Sequence, residues 1–194
     1  MHRRRMTGRA EAARQPGPGR RAVLAGLAAM PVLAAVGRVQ AAAERRVRLY
    51  NPHTDERFDD VYHDGEGYLD DALSALDWLL RDHRQNFAAA MDPCVYDLLW
   101  TLGSRYANAR GYRPVINVHS GFRTQETNDL LRSEGAAQNS LHLQGMAVDV
   151  SVQGLGINIL ANQAMRIGAG GLGVYWRSGF VHLDTGRRRF WYRR

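Results

Sequence analysis

Lysine is missing altogether from this 194-residue chain; every one of its 26 basic residues is arginine. Cysteine is nearly missing, with Cys94 alone. A single thiol excludes an intrachain disulfide framework, a cysteine-rich zinc ribbon and an iron–sulfur cluster. Long hydrophobic runs are also lacking: the longest, residues 22–36, is about 15 residues, short of the roughly 20 that cross a bilayer. Most of the chain lacks an excess of charge as well. The net +7 comes from residues 1–43, where eight arginines face one acid, Glu11, while residues 44–194 balance 18 arginines with 18 acids. No basic domain remains to hold a nucleic acid, and none is expected as a partner.

Residues 1–19, rich in Arg, Gly, Pro and Ala, have little to bury and read as disordered. Arg20-Arg21 then precedes the apolar run, which is followed by the small residues Ala41-Ala42-Ala43. Paired arginines, a modestly apolar segment and a small-residue end form the pattern of a twin-arginine export signal, cut near Ala41 or Ala43. No Cys follows the run, so a lipoprotein is not expected. The expectation is a protein of the periplasm or cell envelope with no stable membrane span after cleavage. Residues 44–194, enough for one domain with a real core, form its working part.

Within that part, Arg46–Tyr50 alternates polar and apolar residues and predicts a strand, with Arg57–Tyr62 as its hairpin partner across turn-forming Asn51–Glu56. From Tyr68, Leu69, Ala72, Leu73, Leu76, Leu79 and Leu80 recur at helical spacing, with Asp70 and Asp71 in the first turn. A second helix is predicted over Asp92–Asn108, a strand over Val115–Val118, and a third helix over Thr124–Arg132 capped by Thr124. Short strands near 146–152 and 172–184, a helix near 158–168 and a strand or turn at 188–192 complete the pattern. The fold class expected is α+β: a helical N-terminal half packed on a small, mostly antiparallel sheet. Cys94, near a helix start, reads as a buried small hydrophobe.

Two segments stand out chemically: Ser140-Leu141-His142-Leu143-Gln144-Gly145-Met146-Ala147-Val148-Asp149 and Gly179-Phe180-Val181-His182-Leu183-Asp184. Two imidazoles and a carboxylate can hold Zn²⁺ and leave one position open, and zinc so bound lowers the pKa of its water toward 7. Spacing alone is a weak signal, since a hydrogen-bonded histidine is the simpler reading of any one of these residues. The surrounding pattern is more specific. Ser120-Gly121-Phe122-Arg123-Thr124, the Ser-x-His-x-x-Gly-x-Ala-x-Asp string and Gly-Phe-Val-His-Leu-Asp-Thr-Gly occur in order, with Leu49–Thr54, Tyr68–Leu73, Leu80–Arg84 and Gly170–Tyr175.

Together these segments resemble the zinc peptidases grouped with D-Ala-D-Ala carboxypeptidases, lysostaphin and the Hedgehog signalling domain, closest to the YcbK/MepK-type murein endopeptidases. The resemblance implies His142, Asp149 and His182 as zinc ligands, Arg123 as the carbonyl-polarising residue, and peptidoglycan peptides as substrate. Ser140 either orients substrate or a ligand or serves a turn. Asn128 is expected to clamp a loop, and His119 to relay a proton or serve structure; His53, His63 and His83 read as structural or exposed.

One departure concerns Gly179, which stands where many relatives carry an acid three residues before the last histidine. Asp184, on the same strand face as His182, is the nearest acid, as general base or as a carboxylate orienting the imidazole. The alternatives are a non-catalytic zinc-scaffold module that binds cell wall or a partner, a carboxypeptidase or dipeptidase on D-amino-acid peptides, and an iron oxygenase on the same ligand types. Tyr175, Trp176, Phe180 and Tyr192 line a peptide groove or fill the core. Arg187–Arg189 and Arg193-Arg194 form a basic end, by default solvated.

Overall fold

Strand alternation sets the architecture, and a computed structural model describes it for residues 43–193. The leader expected over residues 1–43 thus lies outside the described residues, apart from Ala43. β1 (Arg45–Asn51) buries Val47, Leu49 and Asn51 and turns into its antiparallel partner β2 (Glu56–His63). Helix α1 (Asp70–Leu79) begins with the two acids that favour a helix N-terminus, and buries Leu76 and Leu79. Helix α2 (Pro93–Arg110) starts at a proline, is capped by the Asp92 carboxylate and stops at Gly111 in the left-handed conformation. Cys94 lies exposed in its first turn rather than buried. The N-terminal part is therefore a hairpin followed by two helices.

The rest alternates strands and short helices: β3 (Ile116–Ser120), α3 (Gln125–Leu130), a 3-10 turn (Leu141–Gln144), β4 (Ala147–Val152), α4 (Ile157–Met165), β5 (Gly171–Tyr175), β6 (Phe180–Asp184) and β7 (Arg189–Arg193). Thr124 caps α3, which is shorter than its sequence pattern predicts. All seven strands join one mixed, mostly antiparallel sheet in the order β2-β1-β3-β4-β6-β5-β7. Only the β1–β3 and β5–β7 pairs are parallel. The sheet is larger than the small one expected, because the two ends of the pattern, the hairpin and β7, extend the same sheet.

Helices α2 and α4 cover one face. Against them lie Val118, Val148, Val150, Val174, Val181 and Leu183, all buried in the core. Period-two alternation then commits the residues between them, His119, Asp149, Gly173, His182 and Asp184, to the other face. No helix among the described residues is long and apolar enough to cross a membrane.

Candidate functional site

Strand register places the distant motifs side by side. Asp149 on β4 is opposite His182 on β6, His182 is opposite Gly173 on β5, and Gly173 is opposite Trp191 on β7. These four residues form a row across the sheet. The third candidate ligand, His142, arrives from the 3-10 turn, where the Ser140 hydroxyl accepts from the His142 N–H at 3.4 Å. Gly145 ends that turn with φ 67°, and a side chain there would strike the Ala90 carbonyl. Ser140 is thus a capping residue on a turn, not part of an extended strand, although it also borders the cleft.

The hydrogen bonds around the two rings define their tautomers. His142 Nδ1 lies 2.6 Å from the Gly121 carbonyl, which can only accept, so Nδ1 carries the hydrogen and Nε2 the lone pair. His182 Nε2 lies 3.0 Å from Asp184 Oδ2. Burial alone would raise the Asp184 pKa, but His182, the Gly186 N–H and Arg189 hold it down at about 2. An ionised Asp184 also only accepts, so in the neutral ring Nδ1 of His182 carries the lone pair.

Those two lone pairs face each other at 3.1 Å, and Asp149 Oδ1 sits 2.9 Å from His182 Nδ1 and 3.3 Å from His142 Nε2. Three buried electron-pair donors converging without a hydrogen between them repel one another unless a cation joins them. The set therefore fits a divalent metal, with two imidazoles and one carboxylate as donors. Burial disfavours charge on His182, but its hydrogen bonds to the Asp149 and Asp184 carboxylates outweigh it and raise the pKa of the ring. Burial lowers the pKa of His142. For Asp149 the two histidines overcome burial and hold the carboxyl well below its ordinary range.

Arg123 donates to Asp149 Oδ2 at 2.5 Å and to the Ser120 hydroxyl at 2.8 Å. It occupies one carboxylate oxygen and leaves Oδ1 turned to the imidazoles. Asp184 is fully buried behind His182, and its oxygens accept from the Gly171 and Gly186 N–H groups and from both terminal nitrogens of Arg189. This is the setting of an orienting carboxylate. Gly179 adopts φ 72° in the turn between β5 and β6, a conformation that favours glycine over an acid. Asn128 donates to the Ala137 carbonyl and clamps the loop before Ser140.

The trio opens into a cleft of about 420 Å³ bordered by His119, Arg123, Glu134, Tyr175, Phe180 and Trp191, with Arg84, Arg189 and Arg193 also at its edge. Tyr175 and Phe180 stack at 4.6 Å and face this cleft, whereas Trp176 and Tyr192 do not border it. His53 and His83 stack on each other at 4.2 Å, apart from the trio.

Arg189 is not part of a solvated tail: it grips Asp184, and Trp191 lies over His182 at a ring distance of 5.2 Å. Sequence reading missed both residues. The signal available was the alternation Arg189-Phe190-Trp191-Tyr192-Arg193, which on one strand aims 189, 191 and 193 the same way. Gly171 and Gly173 make room for them, since a Cβ at Gly171 would meet Asp184 and Arg189, and one at Gly173 the Trp191 ring.

The family model described as peptidoglycan L,D-endopeptidase MepK matches residues 39–191. Peptidoglycan L,D-endopeptidase MepK of Escherichia coli (strain K12) is 37% identical over 149 residues, covering 76% of this chain and 80% of the relative. The protein of the same name from Shigella flexneri matches to the same extent. A probable peptidoglycan L,D-endopeptidase MepK of Haemophilus influenzae is 34% identical over 153 residues, covering 76% and 78%. The chain belongs to the peptidoglycan L,D-endopeptidase MepK family of metallopeptidases.

Proposed function

We propose that the protein is an exported zinc peptidase that hydrolyses an amide in the peptide cross-links or stems of peptidoglycan. The observation that carries this reading is the convergence of His142 Nε2, His182 Nδ1 and Asp149 Oδ1 on one point bordering a polar cleft. Zinc bound by this donor set supplies Lewis acidity and a water of lowered pKa. The substrate follows from family membership.

The remaining roles belong to the chain's own side chains. Gly121 and Asp184 fix the ring hydrogens of His142 and His182, so that each presents a lone pair to the cleft. Arg123 steadies Asp149 and sets positive charge beside the place where a carbonyl oxygen gains negative charge. Asp184 orients His182 and is too enclosed to take a proton from the cleft. We assign that role to His119, which borders the cleft and bonds the Ser151 hydroxyl at 2.8 Å, and whose pKa burial lowers from the ordinary imidazole value. The leader pattern, in which Arg20-Arg21 precedes the apolar run, supports the exported part of this reading.

Cross-linked muropeptides incubated with the protein, with and without chelator, test the proposal, with products identified by mass. Cleavage that stops with chelator, returns with zinc and is absent in His182→Ala is the expected result. Zinc-loaded protein that binds muropeptides and leaves them whole would establish the binding module instead. Release of only a terminal residue would establish the carboxypeptidase.

A further inference from the structure

The face of the sheet turned from the cleft carries a second groove, between α4 and the edge strand β7. Ala161 and Val174 form its buried floor, Met165, Trp176, Phe190 and Tyr192 line it, and the amides of Asn158 and Asn162 border it, enclosing about 560 Å³. Trp176, Phe190 and Tyr192 are 38%, 54% and 62% exposed. Three aromatic rings held in water around one groove form the kind of apolar patch that marks a binding site. No Asp, Glu, Arg or His lines it. A charged ligand would find no partner there, whereas a neutral one with flat apolar faces and hydroxyl or acetamido edges would find rings to stack on and two amides to bond.

We propose that this groove binds the neutral carbohydrate strand of peptidoglycan, an N-acetylated amino-sugar polymer, while the opposite face receives the peptide. The choice of polymer rests on the function proposed above; the sugar-binding chemistry rests on the groove alone. Continuity with the cleft supports the pairing, because one strand serves both sites. On β7, Arg189, Trp191 and Arg193 border the cleft and Phe190 and Tyr192 the groove. β7 is also the last strand of the sheet. A second copy pairing edge to edge would instead bring Arg189 and Arg193 against like charges, which disfavours it.

The probe is tetra-N-acetylchitotetraose, titrated into the full chain by calorimetry. Saturable binding is expected, weakened about tenfold in Tyr192→Ala and again in Trp176→Ala, and unchanged in Trp78→Ala, an exposed tryptophan outside the groove. Both groove variants are expected to cut a sugar-free cross-linked peptide at the wild-type rate and intact cell-wall sacculi more slowly. No binding by wild type, or equal binding by Tyr192→Ala, overturns the proposal. So does sedimentation showing a dimer, or vesicle binding, that the same variants abolish. A protein that binds the tetramer but cuts no peptidoglycan overturns only the proposed activity, and the groove stands.

Discussion

On the metal-site reading proposed above, a proton and a divalent cation compete for one lone pair at His182 Nδ1. The hydrogen bonds to Asp149 and Asp184 raise the affinity of the ring for the proton. Protonated His182 therefore stabilises the metal-free fold at low pH, and that contribution is lost as pH rises through the raised pKa. Metal binding runs in the opposite sense, since it requires the free lone pair. Zinc affinity, measured by chelator competition across pH, is expected to start falling at a pH above the ordinary imidazole range and to keep falling toward acid. A flat profile through that range would show that His182 is not a ligand.

A second residue-scale expectation concerns Arg189, which holds Asp184 by two nitrogens and through it supports the His182 ring. Arg189→Gln frees the carboxylate to turn and loosens the His182 tautomer. A drop in zinc affinity of about 10–100-fold is expected, the usual effect of removing a partner behind a ligand. The checks are the same competition assay and the nitrogen shifts of the His182 ring in metal-free protein. Arg188→Gln, the exposed residue just before β7, is expected to leave both unchanged.

At the scale of elements, the strand row explains which parts of the site were legible in the sequence. The strings around the candidate ligands His142, Asp149 and His182 stand out because each carries its chemistry locally, and the short strands are legible from alternation. Register is a different kind of information. Nothing in Arg189–Arg193 alone says that the strand lies parallel to β5 with Arg189 opposite Gly171, so a run of arginines reads as a tail. Cys94 was misread for a related reason: a small apolar residue looks buried until helix phase is fixed by Val95, Tyr96 and Leu99, which take the core side.

The glycines of β5 test the row directly. Neither has a positive φ, so alanine at Gly171 or Gly173 meets a contact problem rather than a backbone one. Gly173→Ala is expected to push Trp191 off His182 and cost about 1–3 kcal/mol, read as a lower unfolding midpoint in denaturant and a changed tryptophan emission. The hairpin end of the sheet has its own anchor in Asp97 on α2, which accepts from Arg45 on β1, from Tyr62 on β2 and from Tyr68. Burial would raise its carboxyl pKa, yet these donors hold it below the ordinary value. The stabilisation is complete above the ordinary carboxylate range and is lost as pH falls through the lowered pKa. Asp97→Ala leaves the fully buried Tyr62 hydroxyl without its acceptor and is expected to cost about 1–3 kcal/mol, shrinking at acid pH.

At the scale of the whole molecule, the trio ties the neighbouring turn and β4, which carry His142 and Asp149, to β6, whose His182 lies 33 residues beyond Asp149. His142 comes from the turn after α3, Asp149 from β4 and His182 from β6. The unfolded chain holds these donors apart, so an ion bound by all three stabilises the fold by mass action. Free zinc at about 1,000 times its dissociation constant adds roughly 4 kcal/mol. Thermal unfolding with saturating zinc should therefore occur well above that in chelator, and the gap should close in His182→Ala. A structural histidine gives the opposite pattern. Its loss lowers the midpoint in chelator and leaves a zinc-dependent gap untouched, because the ion would then be held elsewhere. The difference between the two midpoints, rather than either one alone, separates an ion that joins these stretches of chain from a hydrogen-bond cluster that merely fills the base of a cleft.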